Sequence, residues 1–187
     1  NTSGISDADG LGSFFSYQWI RGGIEISGAT SSTYALVQAD VGAAITVRVS
    51  YTDAQSTAES VTSSATSSIT NVNESVGGTP SITGTTTQGQ TLTAVTSALS
   101  DLDGLGNFSY QWIRAGSDIS GATSSTYALV DWDVGNAITV RVSYTDGQGT
   151  TENTTSSATS SITNVNDVVS GTPSITGTTT QGQTLTA

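Results

Sequence analysis

The chain contains no cysteine, histidine, lysine or methionine, and only two of its 187 residues are proline. Without cysteine the fold cannot rely on disulfides, and without cysteine and histidine the usual zinc ligands and activated nucleophiles are missing. The lack of lysine excludes Schiff-base chemistry, and neither a P-loop nor a GxGxxG motif occurs. These absences predict that the segment is not an enzyme.

Charge of one sign is also scarce. All four cations are arginine, against 15 aspartates and glutamates, and the net charge is −11. Such a surface repels phosphates and anionic lipid headgroups, so we expect no nucleic-acid partner. No apolar run approaches the roughly 18 residues needed to cross a bilayer, so we expect no membrane insertion by this segment. An acidic, lysine-free composition rich in Thr, Ser and Gly is typical of an extracellular or cell-surface location.

What the chain does contain is an internal repeat with a period of 93 residues. SYQWIR at residues 16–21 returns at 109–114, and the stretch at 78–94 returns unchanged at 171–187. We call residues up to 77 the first copy and residues 78–170 the second copy. Long tandem copies indicate an array of one folded unit that provides reach, display or assembly.

Apolar residues alternate with polar ones in both copies. Ile45, Val47, Val49 and Tyr51 are separated by single polar residues, which predicts a strand with one buried face. No helical period is sustained. We therefore expect about seven short antiparallel strands per copy in a two-sheet sandwich. The predicted core residues are Trp112, Tyr110, Leu129, Val140 and Val142, with their first-copy partners Trp19, Tyr17, Leu36, Val47 and Val49.

Several motifs follow one another in a fixed order: DLDGLG, SYQWIR, ISGATSSTYALV, DVG, ITVRVSYTD and SITNVN. In this order they resemble the bacterial Ig-like or cadherin-like tandem repeats of large surface adhesins, the RTX and biofilm type of extracellular protein. The resemblance covers the whole chain. It implies an all-β fold of tandem immunoglobulin-like antiparallel β-sandwich repeats of about 93 residues. It also implies a non-enzymatic spacer, stalk or fibre in a bacterial surface protein.

In the frame of that family, the chain divides into three parts. Residues 1–77 are an Ig-like repeat lacking its first two strands, residues 78–170 are a complete repeat, and residues 171–187 are the first two strands of a following repeat. Unpaired sheet edges and exposed core residues are costly. The chain is therefore expected either to be a slice of a longer polypeptide or to pair head-to-tail with neighbouring copies by strand addition.

The resemblance also implies a place for carboxylates, since in this sandwich two loops and the incoming linker, here residues 71–78, meet at one end. Oxygen ligands of this kind suit calcium. The predicted calcium ligands are Asn71, Asn73, Glu74, Asp101, Asp103 and Asp146, with equivalent sets Asp7, Asp9 and Asp53 and, for a following domain, Asn164, Asn166 and Asp167. The alternative is that Asp101 and Asp103 only shape a glycine-rich turn through side-chain to backbone hydrogen bonds.

Two other functions stay open. A module that binds an extracellular glycan or surface needs exposed aromatic residues, and Trp132, which replaces Ala39 of the first copy, is the candidate. Trp19 and Trp112 are expected to be core residues instead. The second open function is that of an accessory domain in a large secreted enzyme whose catalytic part lies elsewhere.

Overall fold

The computed structural model describes residues 2–187 and is all-β, with antiparallel sheets, as predicted. The strands are β1 (Ser16–Arg21), β2 (Ile24–Glu25), β3 (Ile45–Thr52), β4 (Ala58–Thr62), β5 (Ser81–Thr83), β6 (Thr91–Val95), β7 (Ser109–Arg114), β8 (Ser117–Asp118), β9 (Thr126–Ala128), β10 (Ile138–Thr145), β11 (Thr151–Thr155), β12 (Thr176–Gly177) and β13 (Leu185–Thr186). Two 3-10 turns occur, at Gln38–Asp40 and Asp131–Asp133. Across residues 2–187, no helix is long and apolar enough to span a bilayer.

The chain separates into two compact units. One comprises the residues up to Gly78 together with Leu99–Asn107 and Tyr144–Glu152. The other comprises Thr79–Ala98, Phe108–Ser143 and Asn153–Ala187. The domain boundaries expected from the repeat stay a prediction.

The second unit has a closed core. The core lies between the sheets β5-β6-β9 and β11-β10-β7-β8, and the hairpin β12-β13 forms a further small sheet in this unit. Because side chains alternate along a strand, each sheet presents one apolar face, and residues from both sheets form one cluster. The buried members of this cluster are Leu92, Trp112, Leu129, Ile138, Val140 and Ile162. Val142 is also buried, and Tyr110 packs partly buried against the cluster.

The first unit contains the sheet β2-β1-β3-β4. Strand β1 pairs with β3 from Ser16 opposite Ser50 to Arg21 opposite Ile45. Val49 is buried, whereas Tyr17, Trp19 and Val47 are only partly buried. The expected burial of Leu36 is wrong, since 55% of this residue is exposed. Its counterpart in the second copy, Leu129, is buried in the cluster that includes Leu92 of strand β6.

An ion pair to a buried aspartate braces the 3-10 turn of each copy. Asp133 is fully buried, and its carboxylate accepts hydrogen bonds from Arg114 Nη1 (2.9 Å), Val130 N (2.8 Å) and Tyr127 Oη (3.0 Å). Burial, followed by the bond to Asp133, raises the pKa of Tyr127 to about 12. The first copy repeats this brace with Asp40, Arg21, Val37 and Tyr34.

The outward-facing arginines of the long strands are paired as well. Arg48 Nη2 lies 2.6 Å from Glu25 Oε1, and Arg141 Nη2 lies 2.8 Å from Asp118 Oδ2. Both pairs are well exposed, so each contributes about 0–1 kcal/mol. All four arginines therefore pair with a carboxylate of their own copy.

Candidate metal site

The aspartate-rich turn of the second copy is held by its own side chain. Asp101 Oδ1 accepts a hydrogen bond from Asp103 N at 2.8 Å, and Gly104 N bonds to the Asp101 carbonyl at 3.2 Å. This is the side-chain to backbone geometry that aspartate brings to turns. Asp101 thus shapes the turn. The carboxylate of Asp103, a buried residue, is free to accept hydrogen bonds from other residues.

The linker residues lie against Asp103. Asp103 Oδ2 accepts hydrogen bonds from Asn71 Nδ2 (3.1 Å) and from Glu74 N (3.2 Å). Asp103 Oδ1 accepts from Gln38 Nε2 at 2.6 Å. The structure therefore brings Asn71, Glu74 and Asp103 together, and it adds Gln38, which the sequence did not indicate.

Asp146 is held next to Asp103 by a backbone hydrogen bond of the residue that follows it. Its Oδ1 accepts from Gln148 N (2.9 Å) and Thr150 N (2.8 Å), and the next residue, Gly147, donates its N–H to the Asp103 carbonyl at 3.0 Å. Asp146 is 6% exposed, and its second oxygen, Oδ2, has no hydrogen-bond partner.

This part of the first unit contains two buried carboxylate oxygens without a hydrogen-bond partner. Among residues 2–187, the buried side-chain polar atoms without a partner are Asp146 Oδ2 and Glu74 Oε2. A buried carboxylate oxygen without a donor carries a desolvation cost of about 1–3 kcal/mol, and more when the group is charged. A cation or a donor at these oxygens removes that cost.

Asn73 takes a different partner from the one expected. Its Nδ2 donates to Glu152 Oε1 at 2.9 Å, and Val76 N donates to Glu152 Oε2 at 2.5 Å. Tyr144 Oη donates to Asp101 Oδ2 at 2.6 Å and also lies 3.3 Å from Glu152 Oε2. Burial, followed by the bond to Asp101, raises the pKa of Tyr144.

Sequence reasoning missed Glu152, although a signal was present. Glu152 and Glu59 lie 93 residues apart, so both copies keep a glutamate at the same place on the strand after the long one. In each copy this glutamate contacts the tyrosine hydroxyl that also reaches the aspartate turn.

The first copy assembles the tightest carboxylate group. Oxygens of Asp7, Asp53 and Glu59 all lie within 4.8 Å of one another, the one such acidic group found in residues 2–187. Tyr51 Oη lies 3.0 Å from Asp7 Oδ2 and 2.9 Å from Glu59 Oε2. The hydrogen bond from Asp9 N, followed by that from Tyr51, lowers the pKa of Asp7. Asp9 itself is exposed.

The third predicted set lies on the surface. Asn164, Asn166 and Asp167 are all exposed. Gln88 bridges this stretch, because its Nε2 reaches both Asp131 and Asp167 and its Oε1 accepts from Val165 N. These residues hold a loop of the second unit in place.

Comparison with known proteins does not assign the chain to a family. No family model matches the chain, and no curated protein matches it.

Proposed function

We propose that the chain is a non-enzymatic structural segment of a bacterial surface adhesin or fibre, which acts extracellularly as a spacer or stalk built of tandem immunoglobulin-like sandwiches. The observation that carries the proposal is that the charged and aromatic side chains make the same stabilising contacts in both copies. Each has a buried Arg-Asp-Tyr brace, a tryptophan stacked on a tyrosine, and a tyrosine hydroxyl held by two carboxylates. A spacer needs such a reproducible scaffold.

Calcium is the proposed cofactor of the acidic linker region. The donor set fits a hard cation, since Asp103, Asp146, Glu74 and Asn71 supply carboxylate and amide oxygens, and two of those carboxylates hold a buried oxygen without a partner. The amide of Asn71 donates from Nδ2 to Asp103 and accepts at Oδ1 from Gln38 Nε2, and a half-turn of the amide exchanges these bonds for an Oδ1 directed at the ion. A bound ion supplies positive charge that offsets the repulsion of the carboxylates. The group Asp7, Asp53 and Glu59 is the corresponding proposal for the first copy.

A thermal-melting experiment tests this role. An ion that binds only the folded chain stabilises it by about 2.7 kcal/mol when its free concentration is a hundred times Kd. We expect calcium to raise the melting temperature of the full chain relative to chelator, and Asp103→Ala to remove most of that rise. Asp118→Ala removes the same charge from an exposed pair with Arg141 and serves as the matched control. Identical melting curves in calcium and in chelator refute the calcium role.

A carbohydrate- or surface-binding module is the second candidate, and one residue favours it. Trp132 is 82% exposed and lies two residues after Val130, which is 44% exposed. An exposed aromatic ring is what stacking on a sugar requires. Glycan binding that Trp132→Ala abolishes and Leu102→Ala leaves unchanged supports this function, because Leu102 is another exposed apolar residue of the same copy. Equal glycan binding by both variants rules out this function for Trp132.

Neighbouring copies of the same chain, arranged head-to-tail, are the proposed partners. Like-charged chains of net charge −11 repel one another over most of their surface. Association therefore has to use neutral surface, and the chain offers one such pair of surfaces.

A further inference from the structure

One face of the sheet in the first unit carries an open apolar groove. Tyr17 and Trp19 of β1, Val47 and Val49 of β3, and Val61 of β4 line it. Tyr17, Trp19 and Val47 are only partly buried, and Val61 is 45% exposed. The side chains that form a sheet's apolar face thus remain accessible here.

The equivalent face in the second copy is covered. Trp112 and Val140, the counterparts of Trp19 and Val47, are both fully buried. They pack in one cluster with Leu92 of β6, and Ile82 of β5 packs against that cluster. The β5-β6 hairpin is therefore the element that closes this face.

The hairpin also supplies backbone pairing. Strand β6 pairs antiparallel with β9, with Leu92 opposite Tyr127 and Thr93 opposite Thr126. Residues 33–35 have the same sequence, Thr-Tyr-Ala, as β9 but form no strand. A segment becomes a strand when its N–H and C=O groups find a partner, so residues 33–35 present an unused edge.

The same hairpin sequence occurs again, exposed, at residues 172–187. Its strands β12 and β13 pair Thr176 with Thr186, which is the register of Thr83 with Thr93 in β5-β6 shifted by one repeat. The apolar residues that would point into a core are accessible, with Ile175 71% and Leu185 50% exposed. The hairpin thus already has the strand pairing of the β5-β6 hairpin that covers Trp112 in the second copy.

Charge favours a meeting of these two surfaces. Residues 172–187 include no charged side chain, and neither do the residues that line the groove. On a chain of net charge −11, two neutral surfaces are where a second copy approaches with the least repulsion.

We propose that the hairpin of residues 172–187 from one copy docks into the groove of a second copy by strand addition. Strand β13 pairs with residues 33–35, placing Leu185 opposite Tyr34 and Thr186 opposite Thr33, and Leu185 covers Trp19 as Leu92 covers Trp112. Main-chain hydrogen bonds give such additions their affinity, and side-chain pockets give their specificity. Because donor and acceptor surfaces differ, the contact is heterologous and extends into an open chain of copies. The inference rests on the proposed head-to-tail role and names its contact.

Cysteine cross-linking of the full chain tests the register, since the native chain has no cysteine. Thr33→Cys and Thr186→Cys are prepared as separate single variants and mixed under mild oxidation, so that a disulfide can form only between two copies. Both positions are exposed. The control mixes Thr33→Cys with Thr180→Cys, which lies in the hairpin outside strands β12 and β13.

We expect the Thr33 and Thr186 pair to give about tenfold more mixed dimer than the control, and Leu185→Asp to remove the excess, because it places a carboxylate in an apolar groove. Equal cross-linking by both pairs overturns the proposal. Cross-linking confined to single chains, in a double variant at high dilution, also overturns it. None of these residues is a proposed calcium ligand. A calcium-dependent rise in melting temperature therefore tests the proposed function independently of this contact.

Discussion

Trp19 stacks on Tyr34 with ring centroids 5.6 Å apart, and Trp112 stacks on Tyr127 at 5.7 Å, both at an interplanar angle of 28°. Each indole Nε1 donates at 2.9 Å to a carbonyl twelve residues ahead, Ser31 or Ser124. The two copies therefore build the same aromatic pair from local sequence alone. What differs is burial, because only the Trp112 pair lies in a cluster with the β5-β6 hairpin.

Trp112→Ala should destabilise the chain far more than Trp19→Ala. Trp112 is fully buried, so its truncation leaves a cavity and costs about 3–5 kcal/mol. Trp19 is partly exposed and loses less on truncation. Urea unfolding of the two variants measures the difference, and equal losses would show that the two cores are closed alike.

Ala115→Gly should stabilise the chain by about 1 kcal/mol. Ala115 has φ of +46°, in the left-handed region that costs a residue with a Cβ about 1–2 kcal/mol. The first copy has Gly22 at this position, with φ of +52°. Gly22→Ala is the matched reverse change and should lower the free energy of unfolding. A loss of stability in Ala115→Gly counts against left-handed strain at this turn.

Breaking the brace at Asp133 should be costly. Arg114→Ala leaves a fully buried carboxylate without its cation, and we expect a loss of roughly 2–3 kcal/mol, below the 3–5 of a fully buried pair because Arg114 is 30% exposed. Arg141→Ala removes an exposed pair and should cost less than about 1 kcal/mol. Chemical denaturation compares them, and similar losses argue against a structural role for the brace.

Stability should fall in acid, and Asp40 should account for part of the fall. Burial alone would raise its pKa, but hydrogen bonds from Val37 N, Arg21 and Tyr34 together lower it below the ordinary value of 3.8. A carboxyl whose pKa is depressed by folding contributes stability above its unfolded value and loses it as pH falls through the folded value. The free energy of unfolding should therefore be nearly flat between about pH 5 and 7 and drop below pH 4. Asp40→Asn should reduce that slope, and an unchanged slope would assign the acid loss to other groups.

The alternation of Ile45, Val47, Val49 and Tyr51 predicted strand β3 correctly, because a period of two follows directly from strand geometry. Burial was harder to predict. Leu36 and Leu129 lie in the same local sequence, yet one is exposed and the other buried, since burial depends on a covering hairpin that is distant in sequence.

The acidic site shows the same limit. Two of the predicted ligands, Asn71 and Glu74, hydrogen-bond to a third, Asp103. Gln38 and Glu152 escaped notice because neither lies in an acidic motif, and tertiary packing alone brings them to the site.

Single-molecule pulling of the full chain between marker domains tests the spacer role most directly. A load-bearing spacer resists force until a folded unit opens, and a 93-residue unit releases about 30 nm of chain at roughly 3.3–3.6 Å per residue. We expect discrete unfolding events of about this length. We also expect calcium to raise the unfolding force and Trp112→Ala to lower it. Smooth extension without force peaks, as a disordered linker gives, would contradict a load-bearing spacer role.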